Sequence, residues 1–292
     1  MKNFIFSSTI LVPKFKITKP QSQIRDYLQE ICSLLIRLLI QSIRRPSFVI
    51  TGILQPLLWL IIFGALFQNA PISMFTPLNE YKYFISAGII VFTVFTSALN
   101  AGLPIIFDRE FGFLNRLLIT PLSSRYSILI SSSCNIILIS SIQVALIMCS
   151  CYQIGYCLVN VKNLYLVIIT LLLLSFSITN LSIMLAFQVP GHVELLACIL
   201  IINLPLLFSS TALAPLIFMP SWLQIIASIN PLSYAIETIR YAYLYKEWKI
   251  NTTIMETVWG PIKLIDIVFI LIFIYLISFI YIKKLISNKF EE

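Results

Sequence analysis

Long apolar runs separated by a few short polar stretches set the organisation of this chain. Residues 47–68 carry no charge over 22 positions, and residues 83–107 none over 25. About 20 predominantly apolar residues cross the hydrocarbon core of a bilayer as a helix, so each run predicts one transmembrane span. Residues 126–161 are uncharged for 36 positions, too many for one crossing at about 1.5 Å per residue. They predict a third span over 126–151 and an outer loop around 155–162, with a fourth span over 163–189. The Pro190-Gly191-His192 turn leads into a fifth span, 195–218, whose outer end is marked by Pro215, Pro220 and Trp222. Residues 221–249 are apolar but interrupted by Pro231, Glu237 and Arg240. They predict an interfacial or partly re-entrant helical hairpin, whose irregular backbone needs protein or water around it. A sixth span, 261–282, ends at Lys283-Lys284.

Residues 22–45 have a different period. Ile24, Tyr27, Leu28, Ile31, Leu34, Leu35 and Leu38 recur every three or four residues, with Arg25, Gln29, Arg37 and Arg44 opposite. This predicts an amphipathic helix lying in the membrane plane. The fold class is therefore an all-α integral membrane protein with six transmembrane helices, preceded by an amphipathic interfacial helix. In domain terms, 1–21 is a tail, 22–45 the amphipathic connecting helix, 46–283 the transmembrane domain and 284–292 a second tail.

Composition agrees: 59% of residues are hydrophobic and 11% charged, against about 25% charged in a soluble domain. Six spans leave no room for a soluble catalytic domain. The net charge of +8 reports orientation rather than nucleic-acid binding. Tails and loops on the N-terminal side hold 14 Lys and Arg, and those on the other side hold six. By the positive-inside rule both termini face the cytoplasm or stroma. Residues 1–20 show neither a cleavable signal nor a transit peptide. Of the six cysteines only Cys149 and Cys151 are close-set, without a histidine nearby, so they read as small hydrophobes rather than metal ligands. The sequence has no phosphate-binding loop, no nucleophile elbow and one histidine, His192. No cofactor is expected.

The most distinctive polar stretch is a charged island between the second and third spans, 107–128. Charges are costly at bilayer depth, so it must sit at a membrane face. It reads Asp108-Arg109-Glu110-Phe111-Gly112, continues through Leu114, Arg116 and Leu117-Leu118, and closes at Pro121. The pattern Arg-Glu-x-Gly-x-x-x-x-Leu-x-x-x-Pro resembles the cytoplasmic coupling helix of ABC-2 type transporter permeases. Arg45-Pro46, followed by Gln55-Pro56 and Phe63-Gly64, and the later Asn230-Pro231-Leu232-Ser233-Tyr234 extend the resemblance in the same order. The 52 isoleucines fit an AT-rich gene, and the nearest subgroup is the plastid-encoded ABC-2 type membrane proteins of algae.

That resemblance implies a permease subunit of an ABC transporter, an exporter of unassigned cargo, working as a homodimer or beside a related permease in a plastid or bacterial inner membrane. A separate ATPase subunit would dock on Asp108, Arg109, Glu110, Gly112, Leu114, Arg116 and Pro121. Arg109, Glu110 and Arg116 supply the contacting charges, facing water, and Gly112 would let the short helix approach the partner. Asn230, Pro231, Tyr234, Glu237 and Arg240 would belong to an outer gate, although Glu237 and Arg240 also read as an i,i+3 ion pair worth a few tenths of a kcal/mol. Gln55 and Pro56 would line a pathway, or Pro56 would simply kink its helix. Asp266 reads as an interfacial acid pairing locally with Lys263. A membrane assembly or cofactor-handling factor is the alternative from another class.

Overall fold

A computed structural model describes residues 23–44, 46–66, 81–119, 126–153, 163–244 and 251–291. The predicted N-terminal tail, the outer loop around 155–162 and Pro121 lie outside the described residues. In chain order the elements begin with α1 (Gln23–Arg44), α2 (Pro46–Leu66), α3 (Tyr81–Leu99), α4 (Gly102–Glu110) and α5 (Phe113–Ile119). Then follow α6 (Tyr126–Gln153), α7 (Leu164–Gln188), α8 (His192–Phe208), α9 (Ser221–Ile229) and α10 (Pro231–Leu244). A two-stranded hairpin, β1 (Thr253–Thr257) and β2 (Gly260–Lys263), leads into α11 (Leu264–Glu291).

Among the described residues, four stretches are long and apolar enough to cross a bilayer: Phe84–Glu110, Tyr126–Gln153, Leu164–Gln188 and Leu264–Leu285. Two shorter apolar helices, Ile50–Leu66 and His192–Phe208, stand where the first and fifth spans were predicted.

The main core joins α3, α6, α7 and α10, with Phe84, Phe95, Ile147, Leu174, Leu232 and Ile239 at its centre. Trp59 of α2 brings in α3 and α8, its ring 5.9 Å from Phe92 and 6.0 Å from Phe208. Within this core small hydroxyl residues fill the helix contacts. Ser131, Ser140, Thr170, Ser175 and Ser177 each bond a carbonyl three or four residues back in their own helix. Such residues permit close approach of helices without leaving a polar atom unpaired in an apolar interior. Helix α1 lies against α6 through buried Leu34 and Leu38 and leaves Ile24, Leu28, Ile36 and Ile43 exposed. An apolar row that no protein covers is what a helix in the membrane plane requires.

Three features depart from the sequence reading. The predicted fifth span ends ten residues early, at Phe208 rather than Phe218, because Ser209 and Ser210 turn their hydroxyls onto the Leu206 and Leu207 carbonyls. Those hydroxyls compete with the helix for its own acceptors, and Pro215 then starts a single 3-10 turn, Leu216–Phe218. The chain is also not wholly α. Thr253 pairs with Lys263 and Thr257 with Gly260 in an antiparallel hairpin, with Met255 buried against Tyr234, Ile267 and Leu271. The last helix consequently begins at Leu264, not at Pro261. Asp266 pairs locally with Lys263 by accepting a hydrogen bond from its backbone N–H at 3.1 Å, and so caps α11.

Candidate functional site

The second predicted span is interrupted where it becomes the charged island. Helix α3 ends at Leu99, and Asn100 and Ala101 form a turn in which the Asn100 side-chain amide donates to the Thr96 carbonyl at 2.9 Å. Helix α4 restarts at Gly102 with Pro104 in its first turn, where a missing N–H costs nothing. Gly102 is there because α7 passes very close. A side-chain carbon on it would lie 2.6 Å from the Ser182 carbonyl oxygen and 3.0 Å from Ala186 Cβ. The Gly102 N–H instead donates to Ser182 Oγ at 2.9 Å.

At the other end of α4, Gly112 has φ of +71°, the left-handed conformation that ends a helix most cheaply with glycine. It turns the chain into α5, and a Cβ there would meet nothing within 4 Å. Its role within this chain is conformational rather than one of close approach. Gly112→Val should therefore cost about 2 kcal/mol through backbone strain alone, read as a lower thermal midpoint. Gly112→Asn should cost less than half as much, since Asn tolerates that region.

The four island charges among the described residues take four different positions. Asp108 accepts from Arg37 of α1 at 2.5 Å, and the Arg37 guanidinium lies 4.4 Å over the ring of Phe113 at the start of α5. Arg109 donates to carbonyls at the end of α7 and just beyond: Ala186 at 3.0 Å, Pro190 at 2.7 Å, and Val189, with Phe187 at 3.4 Å. A cation there satisfies carbonyls that the helix leaves unpaired and complements its dipole. Glu110 accepts the His192 backbone N–H at 2.7 Å and meets His192 Nδ1 at 2.7 Å. The imidazole packs 5.2 Å from the Phe107 ring. Arg116 alone among the four is exposed without such a contact in the described structure.

Beneath them Leu114 is buried with Leu34, Ile105, Ile128, Ile183 and Ile282. The island is thus held to α1, α4, α6, α7 and α11 at once. Its outward surface is apolar and basic: Phe111 is 76% exposed and Ile119 85%, beside Arg116 and, across the Glu110–His192 contact, exposed Val193. Sequence reasoning missed Arg37 and His192. The basic face of α1 was visible, but no local signal linked either residue to positions about 70 to 80 residues away.

The second group of predicted residues also converges, but inside the protein. Asn230 joins α9 to α10: its amide donates to the Leu206 carbonyl at 2.7 Å and its Oδ1 accepts the Leu232 N–H at 3.0 Å. Pro231 occupies the first position of α10, where proline fits, and the Tyr234 hydroxyl donates to the Ser228 carbonyl. Arg240 is 3% exposed and pairs with Glu237. It also donates to the carbonyls of Phe84 at 3.2 Å and Thr211 at 2.6 Å, and stacks over the Phe84 ring at 3.4 Å. It is a buried staple between α10, α3 and the turn after α8. Gln55 borders a small polar cavity with Thr51, Ser97 and Gln143, whereas Pro56 is buried within α2.

Comparison with known proteins identifies the family. The sequence pattern described as "ABC-2 type transporter" matches residues 29–244, from within α1 to the end of α10. A protein of Porphyra purpurea named "Putative transport permease ycf38" is 50% identical over 276 residues, covering 94% of this chain and 95% of its own. Proteins of the same name from Pyropia yezoensis and Cyanophora paradoxa are 49% and 50% identical over 94% and 90% of this chain, and over 94% and 91% of their own lengths. The tethered island, most of the amphipathic first helix and the buried α9–α10 junction fall inside the matched region, and the chain belongs to the ABC-2 type transporter family of membrane permeases.

Proposed function

We propose that this chain is the membrane-spanning subunit of an ABC transporter and that a separate ATP-hydrolysing subunit docks on α5 and the adjoining turn at His192. The observation that carries this reading is the island's construction. An exposed surface of Phe111, Arg116 and Ile119 rides on a backbone tied to α1 by Asp108–Arg37, to α7 by Arg109 and to α8 by Glu110–His192. A push on that surface reaches three helices through hydrogen bonds and ion pairs, which a loose loop would not transmit. The sequence lacks a phosphate-binding loop, so nucleotide chemistry is assigned to the partner. In this reading Phe111, Arg116 and Ile119 meet the partner, while Asp108, Arg109, Glu110, Gly112 and Leu114 hold the helix in position.

The proposed architecture has six spans, with α2 and α8 as the two shorter ones and α9–α10 as a hairpin dipping into the outer side. The Asn230–Arg240 cluster would then brace an outer gate, and Gln55 would face the path. Two copies, or this chain beside a related one, would enclose the route for an exported cargo. The relatives are plastid-encoded proteins of algae, which supports a plastid membrane with both termini on its ATP-containing side.

The docking surface is tested by co-purification with the ATPase subunit. Arg116→Glu and Phe111→Asp should each weaken association at least tenfold, because a charged interface hydrogen bond is worth about 1.5–3 kcal/mol and an aromatic anchor more than 1. Both variants should keep wild-type thermal stability, and Trp259→Ser on the distant hairpin should change neither property. Full association by both island variants would remove α5 from the interface. Orientation is tested separately: in a cysteine-free background, a single cysteine at exposed Asn115 should react with an impermeant maleimide only from the ATP side. Labelling from the opposite side alone would invert the topology.

A further inference from the structure

We propose that the groove between α1 and the island binds a membrane lipid with an anionic phosphate head group. The groove has a volume of about 660 Å³, within the range of small-molecule sites. Ile36, Arg37, Ile40 and Arg44 of α1 stand on one side of it, with Asp108 of α4 and Phe113 of α5 on the other.

The period of α1 puts two kinds of chemistry side by side. Arg37, Gln41 and Arg44 follow at steps of four and three residues, so they share one stripe of the helix. Ile36 and Ile40 form the adjoining stripe, exposed and apolar. They belong to the row that a helix in the membrane plane turns toward hydrocarbon. An acyl chain resting on Ile36 and Ile40 therefore brings its head group alongside the arginines. At about 1.5 Å per residue, Arg37 and Arg44 lie roughly 10 Å apart along the axis. Side chains of that length reach one phosphate placed between them, beside Gln41.

The three charges in the groove decide the sign of the head group. The Asp108 side chain is only 15% exposed and meets Arg37 at 2.5 Å, so its charge is compensated and mostly covered. A choline head gains little from it. Arg37 keeps 32% of its side chain exposed while holding Asp108. Arg44 is exposed and makes no ion pair among the described residues. The balance is one uncompensated positive charge beside an apolar wall. A single basic side chain at a membrane surface raises the occupancy of an anionic lipid about fivefold. A soluble phosphate compound would meet the same arginines but leave the isoleucine stripe uncovered, which favours a lipid. The groove is built by this chain alone, so the site does not rest on any assignment of partner or cargo.

The test uses the full chain in phosphatidylcholine vesicles doped with lipids that carry a photoactivatable diazirine in one acyl chain. Three probes are compared at equal mole fraction: phosphatidylglycerol, phosphatidylcholine and diacylglycerol. Phosphatidylglycerol should label peptides spanning residues 33–44 about fivefold more than either companion. On the exposed faces of α8 and α11 all three should label alike. Arg44→Gln should bring the preference to about twofold or less with unchanged thermal stability, and Arg44→Lys should retain most of it. Arg25→Gln, on the same helix but about 28 Å away by helical rise, should change nothing. Soluble glycerol 3-phosphate should not compete, since it has no acyl chain to rest on Ile36 and Ile40. The three probes on the wild-type chain decide the matter even if a variant folds poorly. Equal labelling of 33–44 by all three, a preference that survives Arg44→Gln or falls as far with Arg25→Gln, or displacement by glycerol 3-phosphate would overturn the proposal.

Discussion

Arg240→Ala is expected to be the most damaging single substitution around the α9–α10 junction, costing about 3–5 kcal/mol of stability. That is the range for breaking a buried ion pair by deleting one partner. The reason lies in what the guanidinium holds together. It meets Glu237 on its own helix, the Phe84 carbonyl on α3 and the Thr211 carbonyl in the turn after α8, and it covers the Phe84 ring. Removing it leaves a largely buried carboxylate and two buried carbonyls at once. Arg240→Lys should recover less than half of the loss, because one ammonium cannot reproduce a planar fork that reaches three directions. Arg240→Met with Glu237→Leu should recover more, since the carboxylate goes with its partner, but the carbonyls stay orphaned. The measurement is the fraction of folded, monodisperse protein after graded heating in detergent. A loss below about 1 kcal/mol for Arg240→Ala would show that water reaches the pair and that the buried staple is misread.

This cluster shows where sequence pattern stops being informative. The spacing of Glu237 and Arg240 correctly brings the two side chains together, because i,i+3 neighbours share a helix face. Spacing says nothing of burial. That depends on α3 and on the Ser209–Ala212 turn, which reach α10 only after α8 has ended early. The apolar runs behaved differently. The predicted fourth span, 163–189, is nearly coincident with α7, and the amphipathic period at 22–45 located α1, because both signals are local and repeated many times. The hairpin at 253–263 was not legible, since its strands of five and four residues, the second carrying Pro261, give no alternation long enough to read. The island was legible as a polar segment between two apolar helices. Its division into anchoring and outward residues was not, because the deciding partners Arg37, Ala186, Pro190 and His192 are distant in the chain.

Arg109→Ala separates those two roles most clearly. Charged hydrogen bonds are worth about 1.5–3 kcal/mol each when buried, but Arg109 is only partly buried and its bonds share one cation. A loss of about 2 kcal/mol for the whole set follows, in line with a favourably placed cation at a helix C-terminus. The damage should be local first: backbone amides from 187 to 195 should exchange faster with solvent, because the last turn of α7 and the turn into α8 lose their common donor. Transport driven by the ATPase subunit should fall further than stability does, since α5 would no longer move with α7. Arg116→Ala provides the contrast. It should leave stability and exchange unchanged and lower only association with the partner, because Arg116 is exposed and makes no anchoring contact among the described residues. Arg109→Lys should restore part of the stability by returning the charge to the helix end. If Arg109→Ala instead leaves amide exchange at 187–195 untouched while abolishing association, the arginine is a docking residue. Force would then enter through α4 itself rather than through α5 and the tie to α7.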